Sequence, residues 1–211
     1  MKKHRKFSLG EEISHSITHG IGAIFSIVAL IILLVFSSKQ KDILKIVSFS
    51  IYGVSLFLLY LSSTLYHSLS FTKAKKVFER LDHSMIYLLI AGTYTPILLG
   101  PMKSTLGWVL FGIVWGLALI GIVFKSVFFG KNDFVSTILY VFMGWSIVLV
   151  IKQALIMIPK GMFIWIFLGG IAYTLGTIFY LWKKPYSHFI WHLFVLLGSV
   201  LHFLGILFYI L

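Results

Sequence analysis

Two histidines near the end of the chain, His188 and His192, have the spacing of a metal-binding pair on a helix. Residues four positions apart lie on one helical face, so both imidazoles would project in the same direction. A third ligand would have to come from another helix, and we select His67 for this role. Three neutral imidazoles suit Zn²⁺ in a tetrahedral site whose fourth position is left for water. Zinc is favoured because the set is rich in nitrogen and the chain has no cysteine, although ligand type also allows copper, nickel or iron.

Two further polar residues, Ser63 and Asp82, are candidates for supporting this metal. Ser63 lies one turn before His67, and Asp82 opens a predicted helix in the segment ERLDHSMIY. Either side chain could bond to a water on the metal or to one of its ligands. His83 follows Asp82 directly but points about 100° away on a helix, so we rank it below the three selected histidines.

Each of these residues also has a purely structural interpretation. A single histidine at a membrane edge is more often an interfacial or hydrogen-bonded residue than a metal ligand. Asp82 lies near Glu79 and Arg80 and could simply be part of the polar start of a helix. The metal interpretation is favoured because the membrane spans predicted below bring all the candidates to the same end of the helix bundle, although they are far apart in the sequence.

Three of the remaining histidines test this assignment. His15 and His19 are also four residues apart, just after a predicted capping box formed by Ser8 and Glu11. They are a rival ligand pair, or polar contacts that seat the first helix. His202 lies ten residues beyond the last selected ligand, about 15 Å along a helix axis. This depth predicts a packing or hydrogen-bonding role.

The composition indicates that lipid is the solvent for most of the chain. Hydrophobic residues make up 59% of the 211 residues and charged residues 11%, whereas an ordinary globular domain carries about 25% charged residues. Too few polar side chains exist to cover a water-facing surface. The formal net charge of +12 does not indicate nucleic acid, because the basic residues lie between apolar runs. We therefore expect membrane lipids, and no nucleic acid, as partners.

Seven apolar runs are each long enough to cross a bilayer, whose hydrocarbon core needs about 20 residues per helix. The predicted spans are 17–36, 43–66, 81–100, 105–124, 134–152, 162–182 and 188–210. The segments between them are short and polar. The sequence thus predicts an all-α, seven-transmembrane helix bundle in which residues 1–211 form one domain and residues 1–16 a short N-terminal segment.

The basic residues predict the orientation of this bundle. The N-terminal segment and the second, fourth and sixth loops together hold twelve Lys and Arg, whereas the other three loops hold six. Cytoplasmic loops carry the excess of basic residues, so the N-terminus should be cytoplasmic and the C-terminus extracellular. This is opposite to the usual orientation of G-protein-coupled receptors and microbial rhodopsins, and the seventh span has no lysine for a retinal Schiff base. The candidate metal site is then at the cytoplasmic end.

Four segments carry a resemblance to a known family. They are THGIGA at Thr18–Ala23, SSTLYHSLS at Ser62–Ser70, FERLDHSMIYLLIAGTYTP at Phe78–Pro96 and HFIWHLFVLLGSVLHF at His188–Phe203. With them the chain resembles the hemolysin III family, the bacterial branch of the progestin and adiponectin receptor superfamily. The resemblance implies a multi-pass protein of the bacterial cell membrane. It also implies one zinc ion bound by His67, His188 and His192, with Ser63 and Asp82 in support.

Two classes of function follow. One is a zinc-dependent hydrolase of a lipid amide or ester, suggested by the family's similarity to alkaline ceramidases, with Asp82 as general base. The other is a non-catalytic membrane protein, either a cytolysin, as the family name implies, or a regulator of membrane lipid state. The sequence predicts neither the lipid nor the oligomeric state.

Overall fold

The computed structural model describes residues 7–127 and 133–211, and all its regular elements are helical. The helices are α1 (Leu9–Gln40), α2 (Ile43–Ser68), α3 (Lys75–Leu99), α4 (Thr105–Val127), α5 (Asp133–Gly144), α6 (Ile151–Met157), α7 (Lys160–Leu181) and α8 (Ser187–Tyr209), with a 3₁₀ turn at Ser146–Val150 between α5 and α6. Five of the basic residues that predict the orientation lie outside the described residues: Lys2, Lys3, Arg5, Lys6 and Lys131.

Six segments of the described chain are long and apolar enough to cross a membrane. They are Leu9–Gln40, Ile43–Ser68, Thr105–Val127, Phe134–Met157, Lys160–Leu181 and Ser187–Tyr209. Large apolar side chains on their outer faces are exposed, as lipid contact requires, and Ile24, Leu119 and Phe208 are examples. Six of the seven predicted spans are therefore confirmed as helical segments long and apolar enough to cross a membrane.

The predicted third span, 81–100, falls on α3, which is not one of these six. Its start is charged, and polar side chains continue along it. Among those that are buried are Asp82, Ser84, Thr93 and Thr95. The helix packs between α2 and α4 and also contacts α5 and α8, so it is covered largely by protein. A helix shielded in this way needs fewer apolar residues than one that faces lipid. A membrane crossing by α3 stays a prediction.

The fifth predicted span, 134–152, is not one uninterrupted helix. The α-helix ends at Gly144, and the chain continues as a 3₁₀ turn and then as α6. The hydroxyl of Tyr94 on α3 makes hydrogen bonds to backbone groups on both sides of the break. It donates to the Gly144 carbonyl at 2.7 Å and accepts from the Ile147 N–H at 2.9 Å. A side chain from another helix therefore satisfies backbone groups that the interrupted helix leaves open.

The start of α1 is fixed against the start of α8. The predicted capping box is confirmed, because the Ser8 N–H donates to Glu11 Oε2 at 2.9 Å and the Glu11 N–H donates to Ser8 Oγ at 3.3 Å. The other Glu11 carboxylate oxygen accepts the Tyr186 N–H at 2.9 Å. Tyr186 has a φ of 58°, in the left-handed region, and immediately precedes α8.

The end of α2 lies at the same level as these two helix starts. The hydroxyls of Ser16 on α1 and Ser68 on α2 are 2.5 Å apart. Deeper in the bundle, Ser199 on α8 bonds the hydroxyls of Tyr60 and Tyr173, each at 2.8 Å. The first turns of α1 and α8 and the last turn of α2 therefore lie together at one end of the bundle. Hydrogen bonds join α1 to the other two helix ends.

The two ends of α3 and the two ends of α7 provide a test of topology. The chain has no cysteine, and Lys73, Lys103, Lys160 and Lys184 are exposed. We expect single Lys103→Cys and Lys160→Cys variants to react with an impermeant thiol reagent on intact cells, because the charge asymmetry predicts that these two positions lie outside. Lys73→Cys and Lys184→Cys should react only after the membrane is permeabilised.

Labelling of all four variants in permeabilised cells is the control for expression and accessibility. Equal labelling of Lys73→Cys and Lys103→Cys in intact cells would show that α3 does not cross. Labelling of Lys73→Cys and Lys184→Cys alone would reverse the orientation.

Candidate metal centre

The predicted site residues meet at the end of the bundle where α1 and α8 begin. His67 occupies the last turn of α2, and His188 and His192 occupy the first turns of α8. Asp82 lies near the start of α3, and Ser63 one turn before His67. Four of the five are buried, and His188 is partly buried. Residues up to 129 positions apart in the sequence are thus neighbours in the fold.

The three predicted ligands are close enough to share one ion. One ligand atom from each of His67, His188 and His192 lies within 4.8 Å of the other two. Their ring centroids are separated by 5.4 Å for His67 and His188, 5.2 Å for His67 and His192, and 4.7 Å for His188 and His192. The helical pair and the residue from α2 therefore lie together at one end of the bundle.

A carboxylate on α1 orients the ligand from α2. His67 Nδ1 lies 2.7 Å from Glu12 Oε2, so the ring donates its Nδ1 proton there and is left with an unprotonated Nε2. The second Glu12 oxygen pairs with the Lys75 ammonium, which also lies 5.2 Å from the centroid of the Tyr66 ring. A hydrogen bond from one ring nitrogen to a carboxylate is the usual way in which a metal-bound histidine is held.

The second histidine of the α8 pair is held by a backbone group of α1. His192 Nδ1 lies 3.3 Å from the carbonyl oxygen of His15. The carbonyl can only accept, so Nδ1 is the donor and Nε2 carries the free electron pair. His67 and His192 therefore have the same tautomer, fixed by two different partners on one helix.

The unpaired nitrogens show that the site fits a metal ion. His67 Nε2 and His188 Nε2 are both buried without a hydrogen-bond partner among the described residues. A buried polar atom left in this state costs about 1–3 kcal/mol. A cation between the rings would satisfy both atoms, and a donor set of imidazole nitrogens suits zinc. The buried histidine and glutamate side chains here are able to hold a metal ion.

The rival pair of histidines belongs to the same cluster. His15 is in contact with all three predicted ligands, and His19 stacks on His192 with ring centroids 3.5 Å apart and planes 10° apart. Both nitrogens of each ring are buried without a hydrogen-bond partner among the described residues. One ligand atom from each of Glu12, His15 and His67 also lies within 4.8 Å of the others, which makes a second overlapping group.

Sequence reasoning did not identify Glu12, Lys75 or the central position of His15. A signal was present, because Glu12, His15 and His19 follow at intervals of three and four residues and share one face of α1. A carboxylate on the same face as two histidines indicates a supporting partner for a metal ligand. Lys75 gave no such signal, since it lies in a run of basic residues.

Asp82 and Ser63 lie at the same end of the bundle as the histidines and close to each other. The Ser63 hydroxyl has no hydrogen-bond partner among the described residues. Asp82 is not in either group of ligand atoms close enough to share an ion. Its neighbour His83 has Nδ1 2.7 Å from the Glu79 carbonyl oxygen and 3.9 Å from Asp82 Oδ2, and it is in neither group of ligand atoms.

An apolar cavity opens from the histidines into the bundle. Asp82, His188 and His192 lie at one end of it, and Trp145 and His202 lie at the other. The two ends are 14 residues apart on α8, about 21 Å along its axis. A second cavity shares Trp145 and His202 in its lining.

His202 has the role that its depth predicts. Its Nε2 bonds the Ile166 carbonyl oxygen at 3.0 Å, and its ring packs against Gly169, where a β-carbon would collide with it. The small residue lets α7 and α8 approach closely around the imidazole. His202 therefore joins two helices and stays apart from the metal-binding group.

Comparison with known proteins agrees with this architecture. The chain is 52% identical over 204 residues to the hemolysin-3 homolog of Bacillus subtilis strain 168, with 96% of each chain covered. It is 52% identical over 202 residues to hemolysin-3 of Bacillus cereus, covering 95% of this chain and 92% of the relative. The human monocyte to macrophage differentiation factor is 31% identical over 167 residues, covering 74% of this chain and 67% of that protein.

These relatives and the apolar helices together identify a multi-pass protein of the bacterial cell membrane. The model of one protein family, described as haemolysin-III related, matches residues 7–203, a range that includes every residue of the histidine cluster. The chain belongs to the haemolysin-III related family.

Proposed function

We propose that this membrane protein binds one zinc ion through His67, His188 and His192 and hydrolyses an amide or ester bond of a membrane lipid. The observation that carries the proposal is the position of unpaired imidazole nitrogens and a buried carboxyl at one end of an apolar cavity. Catalytic zinc sites in proteins have three protein ligands and an available position. Zinc bound here would polarise a carbonyl group and activate water.

The cavity supports a lipid as the substrate. Its exposed lining is mainly apolar, and the ionisable groups Asp82, His188 and His192 lie at one end, which suits a molecule with one long apolar part and one polar linkage. The cavity follows α8 for about 21 Å, so an extended acyl chain could lie along it. A chain lying there would hold the linkage beside the histidines and exclude bulk water.

Asp82 is the proposed general base. It lines the same end of the cavity as His188 and His192, and one of its oxygens would accept the proton of the attacking water and later deliver it to the leaving group. The Ser63 hydroxyl would donate to the carboxylate and fix its direction. The charge asymmetry of the loops would put this chemistry at the level of the cytoplasmic headgroups.

A second candidate function is non-catalytic, either cytolysis or regulation of membrane lipid state. The observation in favour of cytolysis is the 52% identity to a Bacillus cereus protein named hemolysin-3. In this case the histidine cluster would be a structural metal centre that joins α1, α2 and α8. Lysis of red cells by the purified protein without release of fatty acid would support this alternative.

Zinc content tests the ligand assignment. We expect about one zinc per chain in the detergent-purified protein, measured by mass spectrometry of the metal, and loss of most of it in His67→Ala, His188→Ala and His192→Ala. Metal binding contributes to the free energy of folding, so these variants should also melt at lower temperature. His202→Ala is the control and should keep its zinc. A fully loaded His188→Ala protein would refute this ligand set.

The carboxylate on α1 can be tested separately. Glu12→Gln keeps the side-chain shape but removes the charge that faces His67 and Lys75, and we expect it to weaken zinc binding by about 10–100-fold. Competition with a fluorescent zinc chelator measures the change. Glu79→Gln is the matched control, because Glu79 lies at the same end but accepts from Tyr66 at 3.3 Å. Equal affinities in the two variants would argue against an orienting role.

Fatty-acid release tests catalysis. If Asp82 is the general base, Asp82→Asn should keep its zinc and lose about 10²–10⁴-fold in turnover. If Asp82 only orients a ligand, the same variant should lose about 10–100-fold in zinc affinity. The substrates are ceramides, N-acyl amino lipids and phospholipids presented to zinc-loaded protein.

Two results would contradict the hydrolase. A fully zinc-loaded protein that releases nothing from this panel would favour the non-catalytic function. Release that is unchanged in the zinc-free His188→Ala variant would place the activity elsewhere in the chain or in a contaminant.

A further inference from the structure

His15 completes a regular arrangement with the three predicted ligands. Its ring centroid lies 4.5 Å from that of His67, 4.9 Å from that of His188 and 5.1 Å from that of His192. The separations among the other three rings are 4.7, 5.2 and 5.4 Å. All six distances are similar, so the four imidazoles stand at the corners of a nearly regular tetrahedron.

This tetrahedron has the size that a four-histidine zinc centre requires. Zinc lies about 2.0–2.1 Å from an imidazole nitrogen, and the ring centroid is about 1.1–1.2 Å further away. Four rings in tetrahedral coordination would therefore have centroids about 5.2 Å apart. The observed range of 4.5 to 5.4 Å includes this value. The space between the rings fits one ion with four imidazole ligands.

The His15 ring has no other partner that would hold it away from such an ion. The side chain is fully buried, and neither ring nitrogen has a hydrogen-bond partner among the described residues. As placed, its ligand atom groups with Glu12 and His67. Glu12 already uses one oxygen for His67 and the other for Lys75, so it is a poor ligand for a second ion. Binding to an ion at the centre of the tetrahedron would require a His15 ring nitrogen to turn from this group towards His188 and His192.

His15 packs against an aromatic ring. The centroid of the Phe7 ring lies 4.8 Å from that of His15, 5.1 Å from that of His188 and 5.8 Å from that of His67. His188 and His192 line the apolar cavity, whereas His15 is not among its lining residues. A ligand from His15 would therefore leave the cavity side of the ion free.

We infer that His15 is a fourth imidazole ligand of this metal, so that the resting centre is closed by protein side chains. The inference rests on the proposed metal site and adds a restriction to the proposed chemistry. A lipid carbonyl must then reach the ion as a fifth ligand from the cavity side, or take the place of His15. If the lipid carbonyl can neither bind as a fifth ligand nor replace His15, the zinc has a structural role, as it usually has in closed sites.

X-ray absorption at the zinc edge of the purified wild-type protein tests this directly. We expect one zinc per chain with a first shell of four nitrogens and the outer-shell scattering of four imidazoles. His15→Ala should show three imidazoles and bind zinc at least about tenfold more weakly. His19→Ala is the matched control, because His19 lies one turn away on the same helix with equally unpaired nitrogens, and it should keep four.

The outcomes separate this inference from the metal site itself. A wild-type shell of three imidazoles and one oxygen would overturn the role of His15 and leave the three-histidine site intact. Two zinc ions per chain would overturn it in favour of a second position at Glu12, His15 and His67. Wild-type protein with no affinity for zinc would overturn both proposals. The wild-type spectrum decides the matter even if His15→Ala fails to fold.

Discussion

The constraint on which the rest of this structure depends is the burial of several imidazole nitrogens that no described protein group satisfies. Side chains from α1, α2 and α8 bring five rings together at one end of an apolar bundle. Nitrogens of His15, His19, His67 and His188 are buried there without a hydrogen-bond partner among the described residues. Each such atom destabilises the fold, and a cation shared among them would remove that cost.

The first turns of α1 hold this cluster together. Glu11 caps its own helix and also bonds the backbone just before α8. Glu12 bonds His67 of α2, and the carbonyl of His15 bonds His192 of α8. These bonds reach the end of α2 and the start of α8, so one helix start orients histidines that are far apart in the sequence. The Lys75 ammonium offsets the charge that Glu12 brings into this buried region.

The polar character of α3 is connected with the cavity. Its buried threonines bond their own helix, Thr93 to the Leu89 carbonyl and Thr95 to the Ala91 carbonyl, each at 2.8 Å. Tyr94, between them, fills the break after α5 and also lines both cavities. A helix that faced lipid would lose stability from these side chains. Enclosed by other helices, α3 can supply polar groups to the interior and carry Asp82 to the histidines.

The sequence by itself determined the features that depend on local spacing. Apolar length predicted six helices that the structure confirms, the capping box fixed the start of α1, and the four-residue interval placed His188 and His192 on one face. The depth of His202 along α8 separated it correctly from the cluster. These properties follow from the helical repeat and from the solvent, which act within a single segment.

Only the tertiary structure decided how the segments meet. It put His15 among the selected ligands, paired Glu12 with His67, interrupted the fifth span at a tyrosine from α3, and enclosed the cavity. Helical spacing gives the face on which a side chain lies but not the rotation of that helix about its axis within the bundle. The rotation of α1 is set by its packing against α2 and α8. This packing puts the rival pair, His15 and His19, in the same histidine cluster as the selected residues.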